Sequence, residues 1–246
     1  IRSYLTHTVA RNWVEEYDID GIRLDVAYCL DLQFLAELRE FANNIKPEFW
    51  LLGETLHGDY NIWMNDNACH SVINYDCYHG MHSSFNSSNM HEISYNLNRQ
   101  FGSEDWCVYR GKHLLSFVDN HDVERISCIL QDKNHIPLIY GLEFSMPGIP
   151  NIYYGSEWGA EGYKADGDDA LRPSFDKPIY NDLSKFISKL GDIRTKSKAF
   201  LYGTYRNLHV DSKQLVFERC FEHERIIVAI NAAPDEYTAH CDAGAG

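Results

Sequence analysis

The 246-residue sequence has no apolar run near the roughly 20 residues that cross a bilayer, so no membrane partner is expected. Basic residues are scarce: 22 Lys and Arg stand against 36 Asp and Glu, a formal charge of −14. That balance excludes nucleic acid and anionic lipid as main partners, and it suits a neutral substrate such as a sugar, or a small cation. No C-x-x-C pair occurs, and the seven cysteines are an odd number spread along the chain. A disulfide framework and a zinc site are therefore poor readings; buried free thiols in a reducing cytoplasm are expected. Internal repeats and low-complexity linkers are also missing, and no signal-peptide pattern is read within these residues. The chain starts with "IRSYL" rather than Met, so its true N-terminus is expected upstream. What is present is ample apolar material, 44%, which excludes disorder. The length fits one large α/β barrel or two smaller domains.

Helical spacing of Tyr4, Leu5, Val9, Trp13, Val14 and Tyr17 predicts a first helix. "IDGIRLDVA" reads as a strand. Asp31 reads as the N-cap of a helix over "LQFLAELREFANNI", closed by Pro47. "EFWLLGE" and "SVINYD" follow as strands, then "SSNMHEISYNLNRQFG" as a helix ending near Gly102. "HLLSFVDNHD" reads as strand and loop, "HIPLIYGLEFSM" as an apolar helix, "PNIYYGSE" as a strand and "NDLSKFISKLGDIRTKSKA" as a helix. Strands alternating with helices imply a parallel sheet with crossover connections, five strands in all before about residue 199. After that, "QLVFERCFEHERIIVAINA" gives two β runs about a charged turn, with "EYTAHC" as a candidate third. The expected division is 1–198 as part of a catalytic barrel and 199–246 as a partial β-sandwich.

Acids recur where these strands end: Asp25, Glu54, Asp76, then His121 with Asp122, and Glu157. In a parallel α/β barrel all such ends open on one face, which carries the active site. A single strand-end acid is more often a helix cap or a loop salt bridge; the recurrence is what asks for a function. Arg23 and Asp25 are two residues apart and share one side of their strand. An arginine there orients a carboxylate and favours its charged form, as a nucleophile requires; a purely structural ion pair explains the same two residues equally well. Glu54 follows Gly53 and an apolar run. A partly desolvated carboxyl holds its proton longer, which suits a general acid. One charged and one protonated carboxyl flanking a bond make a retaining glycosidase.

"DGIRLDVA", "LLGETLH", "FVDNHD" and "GIPNIYYGSE" together resemble, in order, signature segments of the α-amylase family of glycoside hydrolases. "GETLHGDYNIWMNDNACHSVINYD" resembles its neopullulanase and cyclomaltodextrinase branch. The resemblance covers nearly the whole chain. It implies a (β/α)8 TIM barrel, of which this chain carries about strands four to eight, followed by the start of an antiparallel β C-terminal domain. It implies that Asp25 is the nucleophile, oriented by Arg23, that Glu54 is the acid and base, and that Asp122 stabilises the transition state beside His121. His57, Tyr75, Asp168 and Arg172 are further sugar-binding candidates, Asp168 and Arg172 with an ordinary loop salt bridge as their alternative. Trp63, Tyr153, Tyr154, Trp158 and Phe175 could pack on pyranose faces, with core packing as the alternative and at least one of Tyr153 and Tyr154 expected in the core.

Two departures from the family pattern stand out. Strands one to three and their Asp/Asn/His segment do not precede residue 19, so five strands are expected to need an N-terminal barrel half, in the same or another chain. Tyr28 and Cys29 replace the Lys or Asn followed by His or Glu that line acceptor subsites in relatives. The implied substrate is an α-1,4- or α-1,6-linked α-glucan, as oligosaccharide or polysaccharide. No cofactor is required; a structural calcium and a homodimer are compatible with the family. Three rivals remain at this stage. One is an α-glucan transglycosylase. Another is a non-catalytic sugar-binding barrel fragment. The third is a metal-dependent hydrolase using Asp25, Glu54, His121 and Asp122 as ligands, against which Arg23 would repel the cation.

Overall fold

The computed structural model describes residues 1–242 and 244, which divide into two compact units, Ile1–Tyr75 and Asp76–Gly246. In the first, helical segments Arg2–Tyr4, Leu5–Ala10 and Arg11–Tyr17 follow one another, the middle one wound as a π-helix. Asp18 ends them in the left-handed region, at φ 49°. Strands β1 (Gly21–Leu24), β2 (Trp50–Gly53) and β3 (Ser71–Val72) form a parallel sheet in that order. The helix Leu32–Ile45 connects β1 to β2. Asp31 caps it as expected, accepting from the Phe34 N–H at 2.9 Å. Leu35, Leu38, Phe41 and Ala42 form its buried stripe, at the spacing of one helix face. Leu38, Phe41 and Ala42 of that stripe pack with Ala10, Phe49, Leu51 and Cys69, and the alternate residues Ile22 and Leu24 of β1 join the same core. Period-two alternation therefore sends Arg23 and Asp25 to the opposite face of the sheet.

In the second unit, β4 (Leu115–Phe117) and β5 (Ile149–Asn151) pair in parallel. Helices Met90–Phe101, Ile136–Ser145 and Asp182–Lys196 lie where the sequence predicts them. Strands β6 (Thr204–Val210), β7 (Gln214–Phe221) and β8 (Glu224–Asn231) make an antiparallel sheet. The charged turn between β7 and β8 falls on Glu222 and His223, with Glu222 at φ 51°.

Three expectations need correction. "EYTAHC" is not a strand; the third strand is β6, on the other side of the hairpin. Asp76 does not end a strand, because β3 stops at Val72 and Asp76 lies in the first turn of the helix Tyr75–Asn86. Tyr153 and Tyr154 lie beyond the end of β5, the first half-buried and the second exposed, so neither is core. Among the described residues no helix is long and apolar enough to cross a membrane.

Candidate active site

The geometry of the first unit starts from strand register. In the β1–β2 pair, Leu24 lies opposite Gly53. The ladder continues one step beyond both strands: the Glu54 N–H donates to Leu24 O at 2.9 Å, and the Ala27 N–H to Glu54 O at 2.8 Å. Asp25 and Glu54 therefore leave adjacent strands at matching positions, and neighbouring strands are about 4.8 Å apart. Arg23 joins them. Its Nη1 donates to Asp25 Oδ1, and its Nη2 lies 2.8 Å from Glu54 Oε1 as an ion pair without hydrogen-bond alignment. The sequence places Arg23 beside Asp25 but gives no hint of its second carboxylate. The two acids differ in setting: the Asp25 side chain is 71% exposed, whereas Glu54 is 5% exposed. Glu54 Oε2 accepts from the Val26 N–H at 2.9 Å, and the buried Tyr75 hydroxyl lies 3.5 Å from Oε1. His57 is exposed on the loop after β2, its ring 5.5 Å from that of Tyr28.

The second unit holds the remaining candidates. Asp122 lies in the loop after β4, where its N–H donates to Asn120 Oδ1 at 2.8 Å. Arg172 Nη2 donates to Asp122 Oδ1 at 3.0 Å, and its Nε donates to the His121 carbonyl at 3.2 Å. His121 Nε2 is 3.1 Å from Asp122 Oδ2. Asp168, the partner that the sequence suggests for Arg172, is farther away, at 3.9 Å. The rings of Tyr153, Tyr154, Phe175 and Trp158 form a chain of edge contacts, with centroids 4.7, 5.8 and 5.2 Å apart. Gly155 makes that packing possible. At φ +91° it takes a left-handed turn, and a Cβ there would meet Phe175 at 2.7 Å.

These observations, four motifs in order on β1, β2, β4 and β5 and the loops that follow them, agree with the comparisons. A family profile described as "Alpha amylase, catalytic domain" matches residues 1–198. The chain belongs to the α-amylase catalytic-domain family. A cyclomaltodextrinase from Thermoanaerobacter pseudethanolicus is 29% identical over 94% of this chain and 40% of its own length. Neopullulanase 2 of Thermoactinomyces vulgaris is 27% identical over 97% of the chain and 41% of its own length. A solved cyclomaltodextrinase superposes with a TM-score of 0.83 at 26% identity, over 94% of this chain and 40% of that one. The chain thus spans about two fifths of the length of these relatives. The three parallel strands of the first unit and the two of the second belong to the family's (β/α)8 TIM barrel, and the antiparallel sheet β6–β8 fits the C-terminal domain.

Sequence reasoning missed the group that supports the Asp122 loop. Asp119 and Arg125 are fully buried. Asp119 Oδ2 accepts from the Ser156 hydroxyl at 2.6 Å and the Ile126 N–H at 2.7 Å. Arg125 donates to Ser156 Oγ at 2.9 Å and Leu171 O at 3.0 Å, with its guanidinium carbon 4.1 Å from the Tyr153 ring centre. This pair ties the loop before Asp122 to the loop before Arg172. A signal was available: two charged residues flank "NHD" within a few positions of an apolar strand. Burial pushes Asp119 up from 3.8 to about 6. A carboxyl with a raised native pKa contributes stability that is fully present below pH 3.8 and lost as pH rises through about 6. Asp119→Asn should remove that dependence. The difference in unfolding free energy between parent and variant is expected to change by about 3 kcal/mol from pH 3.5 to pH 7, read from urea unfolding across that range.

Two further expectations meet the structure here. The cysteines are free, but only Cys69 and Cys77 are buried; Cys29 is exposed and the other four are intermediate. Burial raises the Cys69 thiol to about 11, which makes it an inert core residue. Among the described residues no group of three or more His, Cys, Asp or Glu is arranged to hold a metal ion.

Proposed function

We propose that this chain carries the nucleophile and the acid–base group of a retaining glycoside hydrolase that acts on α-glucans by double displacement. The observation that supports it most is Arg23 spanning Asp25 and Glu54 at matching positions on adjacent strand ends. Retaining enzymes hold their two carboxyls about 5–5.5 Å apart, whereas inverting enzymes leave room for a water between them. One guanidinium touching both acids suits the closer spacing.

In the first step the Asp25 carboxylate attacks the anomeric carbon. The glycosidic C–O bond breaks, and Glu54 gives its proton to the leaving oxygen. Negative charge leaves Asp25, now an ester, and settles on Glu54. Arg23 faces an anionic oxygen before and after the step, so its charge is compensated throughout. In the second step Glu54 takes a proton from water, the resulting oxygen nucleophile attacks the same carbon, and Asp25 leaves as carboxylate. No organic cofactor enters this chemistry. Asp122, held by Arg172 and His121, is proposed to bind hydroxyls of the distorted sugar, and the Tyr153–Trp158 aromatic chain to pack on pyranose faces.

A sugar hydroxyl can replace water in the second step. Tyr28 and His57 are the residues proposed to select between acceptors. The catalytic part is proposed to end near residue 198, and seven cysteines without paired spacing favour a reducing cytoplasm. The test is the anomeric configuration of fresh product. Digestion of maltooligosaccharides by the protein as encoded in full should release the α-anomer first, as seen by NMR before mutarotation. Release of the β-anomer first would contradict double displacement.

A further inference from the structure

We infer that Val26 is a positioning residue whose backbone N–H, at the start of a left-handed turn, fixes the plane of the Glu54 carboxyl for proton transfer. The inference rests on the glycosidase reading of Asp25 and Glu54 and deepens it. Val26 follows Asp25 directly and adopts φ 48°, ψ 43°. Among the described residues four non-glycine residues have positive φ, namely Asp18, Val26, Ser88 and Glu222, and only Val26 is β-branched. Asp and Ser tolerate this region through their short polar side chains; a β-branched residue there is an outlier that the surroundings must hold in place.

The Val26 side chain is not what holds it, since it is exposed rather than packed in the core. The backbone is. The Val26 N–H donates to Glu54 Oε2 at 2.9 Å, the Ala27 N–H to the Glu54 carbonyl at 2.8 Å, and the Cys29 N–H to Val26 O at 2.9 Å. The turn thus grips Glu54 at both its main chain and its carboxylate. The need is physical. The last torsion of a glutamate is soft and nearly two-fold, so an unheld carboxyl plane rotates freely. With Arg23 at Oε1 and the Val26 N–H at Oε2, each oxygen has its own partner and the plane is set. A proton donor held in one orientation keeps the geometry that acid catalysis demands.

The test is an amide-to-ester replacement at Val26 in the full-length protein, using 2-hydroxy-3-methylbutanoate. It deletes the N–H and keeps the side chain. Turnover of maltooligosaccharides should fall about tenfold or more, with KM within about twofold. An aryl maltooligoside with a 4-nitrophenolate leaving group, with azide as acceptor, needs no proton in either step. On that pair the ester variant should stay within about threefold of the parent. Equal losses on both substrates would mean a general structural role and would overturn the inference. Val26→Gly keeps the N–H and relieves the backbone; a loss as large as that of the ester would overturn it too. Glu54→Gln separates the two levels of the account. If it keeps maltooligosaccharide turnover, the glycosidase reading fails and this inference with it. If it is crippled while the ester variant works at the parental rate, only the role of Val26 fails.

Discussion

Asp25→Asn in the full-length protein should lower maltooligosaccharide turnover by a factor on the order of 10⁴ or more, because an amide cannot form the glycosyl ester. Folding should survive. The side chain is 71% exposed and its ion-pair partner, Arg23, retains Glu54. An exposed substitution of this kind changes stability by about 0.5 kcal/mol or less. The thermal midpoint, measured beside the rate, separates lost chemistry from lost structure. A rate near the parental one would remove Asp25 from the nucleophile role. It would also favour the rival of a sugar-binding barrel, since the strand-end acids would then bind without reacting.

Glu54→Gln is the second large effect, and its signature is selectivity between substrates. Gln still accepts the Val26 N–H through its amide oxygen but can neither donate nor take up the catalytic proton. Turnover of natural glucans should drop by about 10²–10⁴-fold. Aryl maltooligosides should lose far less in the glycosylation step, and azide should restore their overall turnover and give a glycosyl azide of retained configuration. A uniform loss on every substrate, with no effect of azide, would argue that Glu54 supports the sheet rather than the reaction. Some stability cost is expected, about 1–3 kcal/mol, because a nearly buried ion pair with Arg23 is removed.

How much of this could be read from residues alone depends on the range of the physics involved. Arg23 and Asp25 sharing a face, and the Asp31 cap, are local consequences of strand and helix periodicity, so both were legible. The contact of Arg23 with Glu54 was not, because it depends on the register of two strands whose paired residues, such as Leu24 and Gly53, are far apart in the chain. The helix Tyr75–Asn86 was hidden for another reason. Its buried face includes Cys77, Tyr78, Met81, Ser84 and Phe85 at helical spacing, but Ser84 is polar and fully buried, and the histidines blur the apolar pattern. Asp119 and Arg125 were overlooked because charged residues are read as surface until a partner is known. Here burial depends on Ser156, more than 30 positions away. Strand β6 was missed because "TYRNLHV" carries Arg206 and His209 among its outward positions.

The most direct measurement is to trap the covalent intermediate. The full-length protein, incubated with a fluorinated maltooligosyl fluoride that forms the glycosyl-enzyme faster than water removes it, is digested and the labelled peptide sequenced by mass spectrometry. The expected label is one glycosyl group on the Asp25 carboxylate, absent in Asp25→Asn. A label on another carboxylate, or none while the same reagent is turned over, would contradict Asp25 as the nucleophile beside Glu54.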